Sequence, residues 1–455
     1  MNSQTNVLKE KYGLFTAIAM VAGIVVGSGV FFKSADILAA TGGNMWLSIL
    51  AWAIGGLVMF ICAFTFCTIA KVHPQEPGFV GYTDKLVGRT YSYCVGWFLA
   101  TIYIPCMASI LCWISALYTV LLFGLPQDAV WALAGGYMVL IFAINTLAPK
   151  IAGKIQVSTL AIKLVPLVLM AIIGTIVGLA NGTTVSNFGT TSIPLLGKPN
   201  FFAALLGALF AYDGWIVITS IVPEIKNAKR NLPLALIIGS VIIIGIYLIY
   251  FVGLTSTMHT NDFLSGDNTE IVKQAFSKIF SKVGGTLLFV FVIISCLGGA
   301  NGIMMSNTRG MHLLSQKNMT SKHAMFGKVC DTTNTPYNSS IVGLLVAMVW
   351  LIVWYFNMTY LQGKFDTATL SIVFMYALFI PMFFMAILKH KGQNPFVRFV
   401  LPIASILCSL LIMFAAIYST RIYALWFLLI VLAVQGFGLL LLHLGKPKKQ
   451  APPIV

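Results

Sequence analysis

Apolar runs of about twenty residues, separated by short polar segments, recur along the whole chain, and each is long enough to cross a ~30 Å hydrocarbon core as a helix. The pattern predicts spans near 13–40, 46–70, 91–123, 129–147, 154–180, 201–224, 233–257, 285–312, 338–357, 367–388, 396–418 and 422–444. The expected fold is therefore an all-α integral membrane protein with twelve transmembrane helices. Of the intervening segments, 71–90 is rich in Gly and Pro and reads as a loop. Segment 258–284 carries apolar residues at helical spacing in its latter part and predicts an interfacial helix.

Composition agrees with a membrane solvent: 59% of the 455 residues are hydrophobic, only 9% are charged, and mean hydropathy is +0.93. The net charge of +16 raises the question of a nucleic-acid partner, but its distribution answers it. Lysines and arginines crowd alternate connections, among them Lys71, Lys85, Arg89, Lys150, Lys154, Lys226, Lys229 and Arg230, and are sparse in the others. That asymmetry reports orientation, with both termini expected on the cytoplasmic side and no nucleic acid implied. The eight cysteines show no metal-ligand spacing, and the six histidines lie in loops or near span ends. No metal, haem or other cofactor is expected, and without buried histidines or carboxylate pairs a membrane-embedded enzyme is disfavoured.

Two spans are interrupted. In the first, Gly27-Ser28-Gly29 falls ~21 Å along the helix, well inside the hydrocarbon. Alone, this has two readings: a break lining a polar cavity, or a small-residue face that lets another helix approach. In the sixth, Ala211-Tyr212-Asp213-Gly214 falls near the bilayer middle. The two breaks occupy corresponding places in five-helix segments 13–180 and 201–388, and an odd number of spans inverts the second segment relative to the first. Paired breaks in an inverted repeat favour the cavity reading and place a transport site at the midplane. Segment 396–444 then adds two helices outside the repeat, and 1–455 forms one transporter domain.

The chemistry at such breaks suits a zwitterion. The helix resuming after Ser28 and Gly29 offers free N–H groups and a positive dipole end to a carboxylate. Carbonyls near Val25 and Val26, and near Phe210 and Ala211, can accept from an ammonium. Lys163 is too deep in the fifth span to reach water comfortably; it either replaces a bound Na⁺ between the first, fifth and eighth spans, carries a proton, or sits in a wet crevice. Asp213 is expected to N-cap the second half of the sixth span, or else to meet a substrate amine or Lys163. Tyr247 needs a polar partner. Ser295, Asn301 and Ser306 are candidates for contact with Lys163 or the first span, or for holding helices together. Phe210 is placed to cover the site, Lys33 is expected to snorkel to the outer interface, and Glu224 wants a basic partner such as Arg309.

Five motifs in order carry a family resemblance: GSGVFFK at 27–33, PGFVGYTDKLVG at 77–88, KIQVSTLAIKLVPL at 154–167, FAYDGWIV at 210–217 and SCLGGANG at 295–302. Together they resemble the amino acid–polyamine–organocation (APC) superfamily and its L-amino acid transporter branch, similar to the bacterial serine/threonine and alanine–serine–cysteine exchangers. The resemblance implies the 5+5 inverted-repeat fold of the bacterial leucine transporter and sodium-independent exchange of neutral L-amino acids by alternating access. It implies that Ser28 and Gly29 take the substrate carboxylate and that the Phe210 and Ala211 backbone takes the amine; Gly27, Asp213 and Gly214 at the two breaks complete the expected binding residues. It further implies Phe210 as outer gate, Lys163 at a vacated sodium site and Tyr247 coupled to substrate; a gate from Glu224 and Arg309 remains a possibility of the sequence alone. Where mammalian members place Asn after the Gly-Trp pair, Ile216 stands here. The loop GLPQD at 124–128 lacks the cysteine that tethers their glycoprotein heavy subunit, so no such partner is expected. A proton-coupled symporter on the same fold is the alternative, and a channel a remote one.

Overall fold

The computed structural model describes residues 10, 12–27, 29–73, 76, 78–189, 200–264, 268–320 and 323–444. Among them the regular elements are helices, with one isolated parallel β-bridge between Tyr12 and Ile225. Eleven helices are long and apolar enough to span a membrane. They are Met45–Val72, Arg89–Phe123, Ala129–Leu147, Pro149–Ala180, Phe201–Thr219, Ala228–Thr255, Val283–Gln316, Tyr337–Leu361, Thr367–Lys389, Phe396–Thr420 and Ile422–His443. The bent pair Leu14–Val25 and Gly29–Ala40, at 42° to each other, makes a twelfth and is first in the chain. The spans are numbered here in chain order. The end of the bundle holding Tyr12 is called basal and the opposite end distal.

Boundaries fall where local chemistry puts them. The fifth span begins at Pro149, earlier than the apolar run suggests, because a proline in the first turn forfeits only an N–H that has no helical acceptor. The segment expected as a loop at 71–90 contains a helix, Gly78–Leu86, whose Phe79, Val80, Tyr82 and Leu86 are buried. The helix expected before the eighth span is present within Asn268–Asn307, and the backbone leaves helical geometry at Phe280 and Ser281 before the span proper. Its Ile271, Val272, Ala275 and Phe276 pack into the protein rather than lying free at an interface.

The outside of the bundle is greasy, as a lipid solvent requires: Leu57, Ile176, Leu407 and Leu429 all point outward. Buried hydroxyls are satisfied mainly within their own helices, as with Ser34 on the Val30 carbonyl at 2.8 Å and Ser115 on Leu111 at 2.8 Å. A smaller number tie spans together, such as Thr65 with Ser405 at 2.7 Å.

Candidate functional site

The first helix stops at Val25. Val26 turns out of the helix at φ −71°, ψ 91°, its N–H still bonded to the Ala22 carbonyl at 2.8 Å, and the helix resumes at Gly29. Ser28 lies outside the described residues. Breaking the helix frees carbonyls, and three are taken by side chains from three other spans. Lys163 Nζ of the fifth span donates to the Gly23 oxygen at 2.5 Å. Tyr247 Oη of the seventh donates to Val25 at 3.1 Å, and Ser295 Oγ of the eighth to Val26 at 3.3 Å. The sequence reading leaves the Val25 and Val26 carbonyls to a ligand; the structure gives each a protein donor, leaving one lone pair apiece.

The sixth span breaks after Tyr212. Asp213 is extended at φ −74°, ψ 165°, Gly214 is at φ +100°, and the chain continues as a tight 3-10 helix, Trp215–Glu224. Asp213 does not cap that second half as expected: Gly214 holds the cap position, with no side-chain bond. In a 3-10 turn the Val217 N–H already reaches the Gly214 carbonyl, at 3.1 Å, so less is left for a cap to satisfy. The Asp213 carboxylate instead accepts the Tyr103 hydroxyl of the third span at 2.7 Å, together with the Gly214 N–H.

The two breaks cross each other. A Cβ on Gly29 would lie 2.8 Å from the Ala211 Cα, and one on Gly214 would lie 2.8 Å from Ile24 Cγ2. Each glycine stands where the other interrupted span passes, so any side chain there would force the pair apart. The backbone of Ala211 and the start of the resumed first helix are thereby held face to face at the bundle centre.

Lys163 is wholly buried. Its stem passes Gly298 of the eighth span, where an added Cβ would come 3.0 Å from Lys163 Cε. It therefore touches the first and eighth spans from the fifth. Asn301 is elsewhere: its amide donates to the Ala152 carbonyl at 3.0 Å and Gln156 Oε1 at 3.2 Å, and its oxygen accepts from Asn145 at 2.9 Å. It joins the fourth, fifth and eighth spans about two turns from the lysine. Ser306 Oγ is buried and finds no hydrogen-bond partner among the described residues. Tyr247 stacks on Tyr212 at 5.0 Å and meets Trp52 edge-on at 5.6 Å. Trp215 and Ile216 are buried, the indole N–H donating to Tyr376 Oη at 3.2 Å.

Above the crossing, toward the distal end, a cavity of about 300 Å³ reaches Gly29 and Phe210, and a second of about 400 Å³ adjoins it. Lys33, Asp36 and Asp366 line both. Lys33 does not snorkel to an interface. It turns into the mouth, pairs with Asp36 at 3.0 Å, and sits 5.6 Å from the centroid of the Phe210 ring. Asp36 and Asp366 escaped sequence reasoning, although the Lys33–Asp36 spacing of three residues on a helix is a pairing signal. Asp366 caps the tenth span, accepting from the Thr369 N–H at 3.0 Å and its hydroxyl at 2.6 Å.

The basal end is sealed in layers. Arg309 Nε donates to the Glu224 carboxylate, and both side chains are buried. Tyr12 N–H donates to the Glu224 carbonyl at 3.0 Å, and Lys226 N–H to the Tyr12 carbonyl at 2.8 Å. Burial pushes the Tyr12 phenol up, and the Glu224 charge adds to the effect. Below them Lys317 bridges Glu76 at 2.6 Å and Asp84 at 3.0 Å. Burial works against its charge, but the two carboxylates outweigh that and raise it. Among the described residues no three His, Cys, Asp or Glu side chains converge as a metal site.

A family model described as amino acid permease matches residues 12–440. The chain is 26% identical to the serine/threonine exchanger SteT of Bacillus subtilis over 392 residues, 86% of either chain. It is 26% identical to the human b(0,+)-type amino acid transporter 1 over 337 residues, 73% of this chain and 68% of that one. It is 23% identical to the human large neutral amino acids transporter small subunit 2 over 314 residues, 66% of this chain and 57% of the relative.

Proposed function

Because this chain belongs to the amino acid permease family, we propose that it is a sodium-independent exchanger of small neutral L-amino acids that works by alternating access. The observation that carries the reading is the Lys163 ammonium on the Gly23 carbonyl at the foot of the first break. A tethered cation there does the work of a bound Na⁺, so no sodium is needed to hold the unwound segment. The substrate carboxylate goes to the amides of Gly27, Ser28 and Gly29, and its ammonium to the carbonyls of Phe210 and Ala211. Asp213 and Gly214 shape the second break, while Tyr247 and Ser295 hold the first.

Obligatory exchange follows from the cost of an empty break. Backbone groups freed inside a hydrocarbon core cost several kcal/mol each when nothing polar satisfies them. With the Gly23, Val25 and Val26 carbonyls held by side chains, closing over an empty site strands the amides where the first helix resumes, whereas a bound carboxylate pairs them, so the carrier reorients loaded. Phe210 gates the distal side and the Glu224–Arg309 pair the basal side. Segments 13–180 and 201–388 are the inverted halves, with 396–444 outside them. The basal end, where basic residues crowd, faces the cytoplasm of a bacterial plasma membrane with both termini. With GLPQD at 124–128, no heavy subunit is required.

One observation favours the proton-symport alternative: Lys163, an ionisable side chain, is wholly buried directly at the first break, with its ammonium on the Gly23 carbonyl. Uptake of labelled serine into proteoliposomes separates the two readings. Exchange is supported if uptake requires unlabelled amino acid inside and ignores Na⁺ and ΔpH. Accumulation in empty vesicles acidified outside overturns it in favour of symport.

A further inference from the structure

The distal mouth is built like a cation site. Asp36 and Asp366 face it, together with the rings of Trp113, Tyr118 and Phe210. Carboxylates beside aromatic faces attract a cation twice over, through its charge and through the ring quadrupole. Open to one side and lying directly above the crossed breaks, such a mouth would draw in lysine or arginine ahead of a neutral amino acid.

The chain puts a cation of its own there. Lys33 is anchored one turn after Gly29 on the resumed first helix, its stem runs past Gly207 of the sixth span, and its ammonium ends between Asp36 and the Phe210 ring. Its side chain is 31% exposed, so an arriving substrate meets it. We propose that Lys33 is a tethered cation that occupies this acidic, aromatic mouth and thereby excludes amino acids with cationic side chains. The inference deepens the reading of the chain as an exchanger of neutral amino acids and rests on it for the substrate class.

The logic is competition. A tethered group is present at an effective concentration that a free ligand does not match. A lysine or arginine side chain entering the mouth must take the Asp36 carboxylate and the Phe210 face from Lys33 while standing next to a like charge. A serine or alanine side chain asks for neither. Asp366, fixed by its two bonds from Thr369, keeps the mouth acidic after Lys33 has cancelled Asp36. Removing the Lys33 charge therefore makes the mouth more negative and more favourable to a cationic substrate.

The test compares wild type, Lys33→Met, Lys33→Gln, Lys33→Arg and the triple variant Lys33→Met/Asp36→Asn/Asp366→Asn. Uptake of labelled arginine and of labelled serine is measured in serine-loaded proteoliposomes, with arginine binding to the purified proteins alongside. The arginine-to-serine ratio should rise roughly tenfold or more in Lys33→Met and Lys33→Gln, stay at the wild-type level in Lys33→Arg, and fall back in the triple variant. Wild type handling arginine as readily as serine overturns the proposal, as does an unchanged ratio in both neutral variants. Wild type exchanging no neutral amino acid overturns the neutral-exchanger reading instead. In that event arginine binding to Lys33→Met but not to wild type still supports the tethered cation, and equal binding overturns it. Lys33→Gln keeps the question answerable if Lys33→Met does not fold.

Discussion

The Lys163 ammonium reaches the Gly23 carbonyl at 2.5 Å, joining the fifth span to the last turn of the first before its break. A buried charge is costly, and this one is placed where an unwound backbone needs a donor. Lys163→Met removes the donor and leaves the Gly23 oxygen buried and unpaired. A loss of about 1–3 kcal/mol is expected, reducing serine exchange roughly 5- to 150-fold. Initial rates in serine-loaded proteoliposomes measure it, and a variant with wild-type rates would remove Lys163 from the mechanism.

The basal pair is open to a double-mutant cycle. Arg309 and Glu224 are both buried, so Arg309→Met or Glu224→Gln alone strands the partner in low dielectric, a loss of about 3–5 kcal/mol in other buried pairs. The double variant strands neither and should be more stable in detergent than at least one single variant. Additive losses across the cycle would show that the two side chains do not act as a pair.

Gly214 combines a left-handed backbone with a close neighbour. At φ +100°, and with an added Cβ 2.8 Å from Ile24, Gly214→Ala should destabilise the fold by about 1–3 kcal/mol and abolish most exchange. A thermal-stability assay on the detergent-purified variant checks the first, and flux the second. Gly136→Ala, inside the fourth span with nothing within 4 Å of an added Cβ, is the control for stability.

A pH effect is expected outside the spans. His73 and His390 close the basal ends of the second and tenth spans with their Nε2 atoms 3.1 Å apart. Burial, then the neighbouring His73, pushes His390 down from its usual 6.5 to about 4. Burial first, with smaller effects from Lys85 and Lys389 against Glu76, also lowers His73. Unfolded chain thus binds protons that the native state refuses, so this stability is full above pH 6.5 and drains as pH falls toward about 4. Thermal scans of wild type between pH 7.5 and 4.5 should show that decline. A His390→Gln variant declining just as steeply would assign it elsewhere.

Much of the architecture could be read from the chain. Apolar runs long enough to span lipid admit few alternatives, and glycines at mid-membrane depth expose both breaks. Lys163 and Ser295 were legible as candidate partners of the first span, but the carbonyls that they and Tyr247 hold were not, because those carbonyls lie 140, 269 and 222 positions away. Tyr103 of the third span, which claims Asp213, is 110 positions away and carries no local signal. Lys33 shows a second limit: sequence reports depth along a helix, but rotation about its axis is decided by packing. The helix Gly78–Leu86 was hidden by flanking Gly and Pro, although its Phe, Val, Tyr and Leu needed a core to enter.

The bridge between Tyr12 and Ile225 has a practical consequence. Tyr12, two residues before the first helix, is stitched into the seal beneath the sixth span, so opening of the basal side by alternating access is expected to require that this stitch be drawn. A fluorophore at position 10 is then expected to act as a reporter of turnover, bright or quenched according to which compartment the carrier faces. A bulky fusion at the same end would slow the motor it was meant to label.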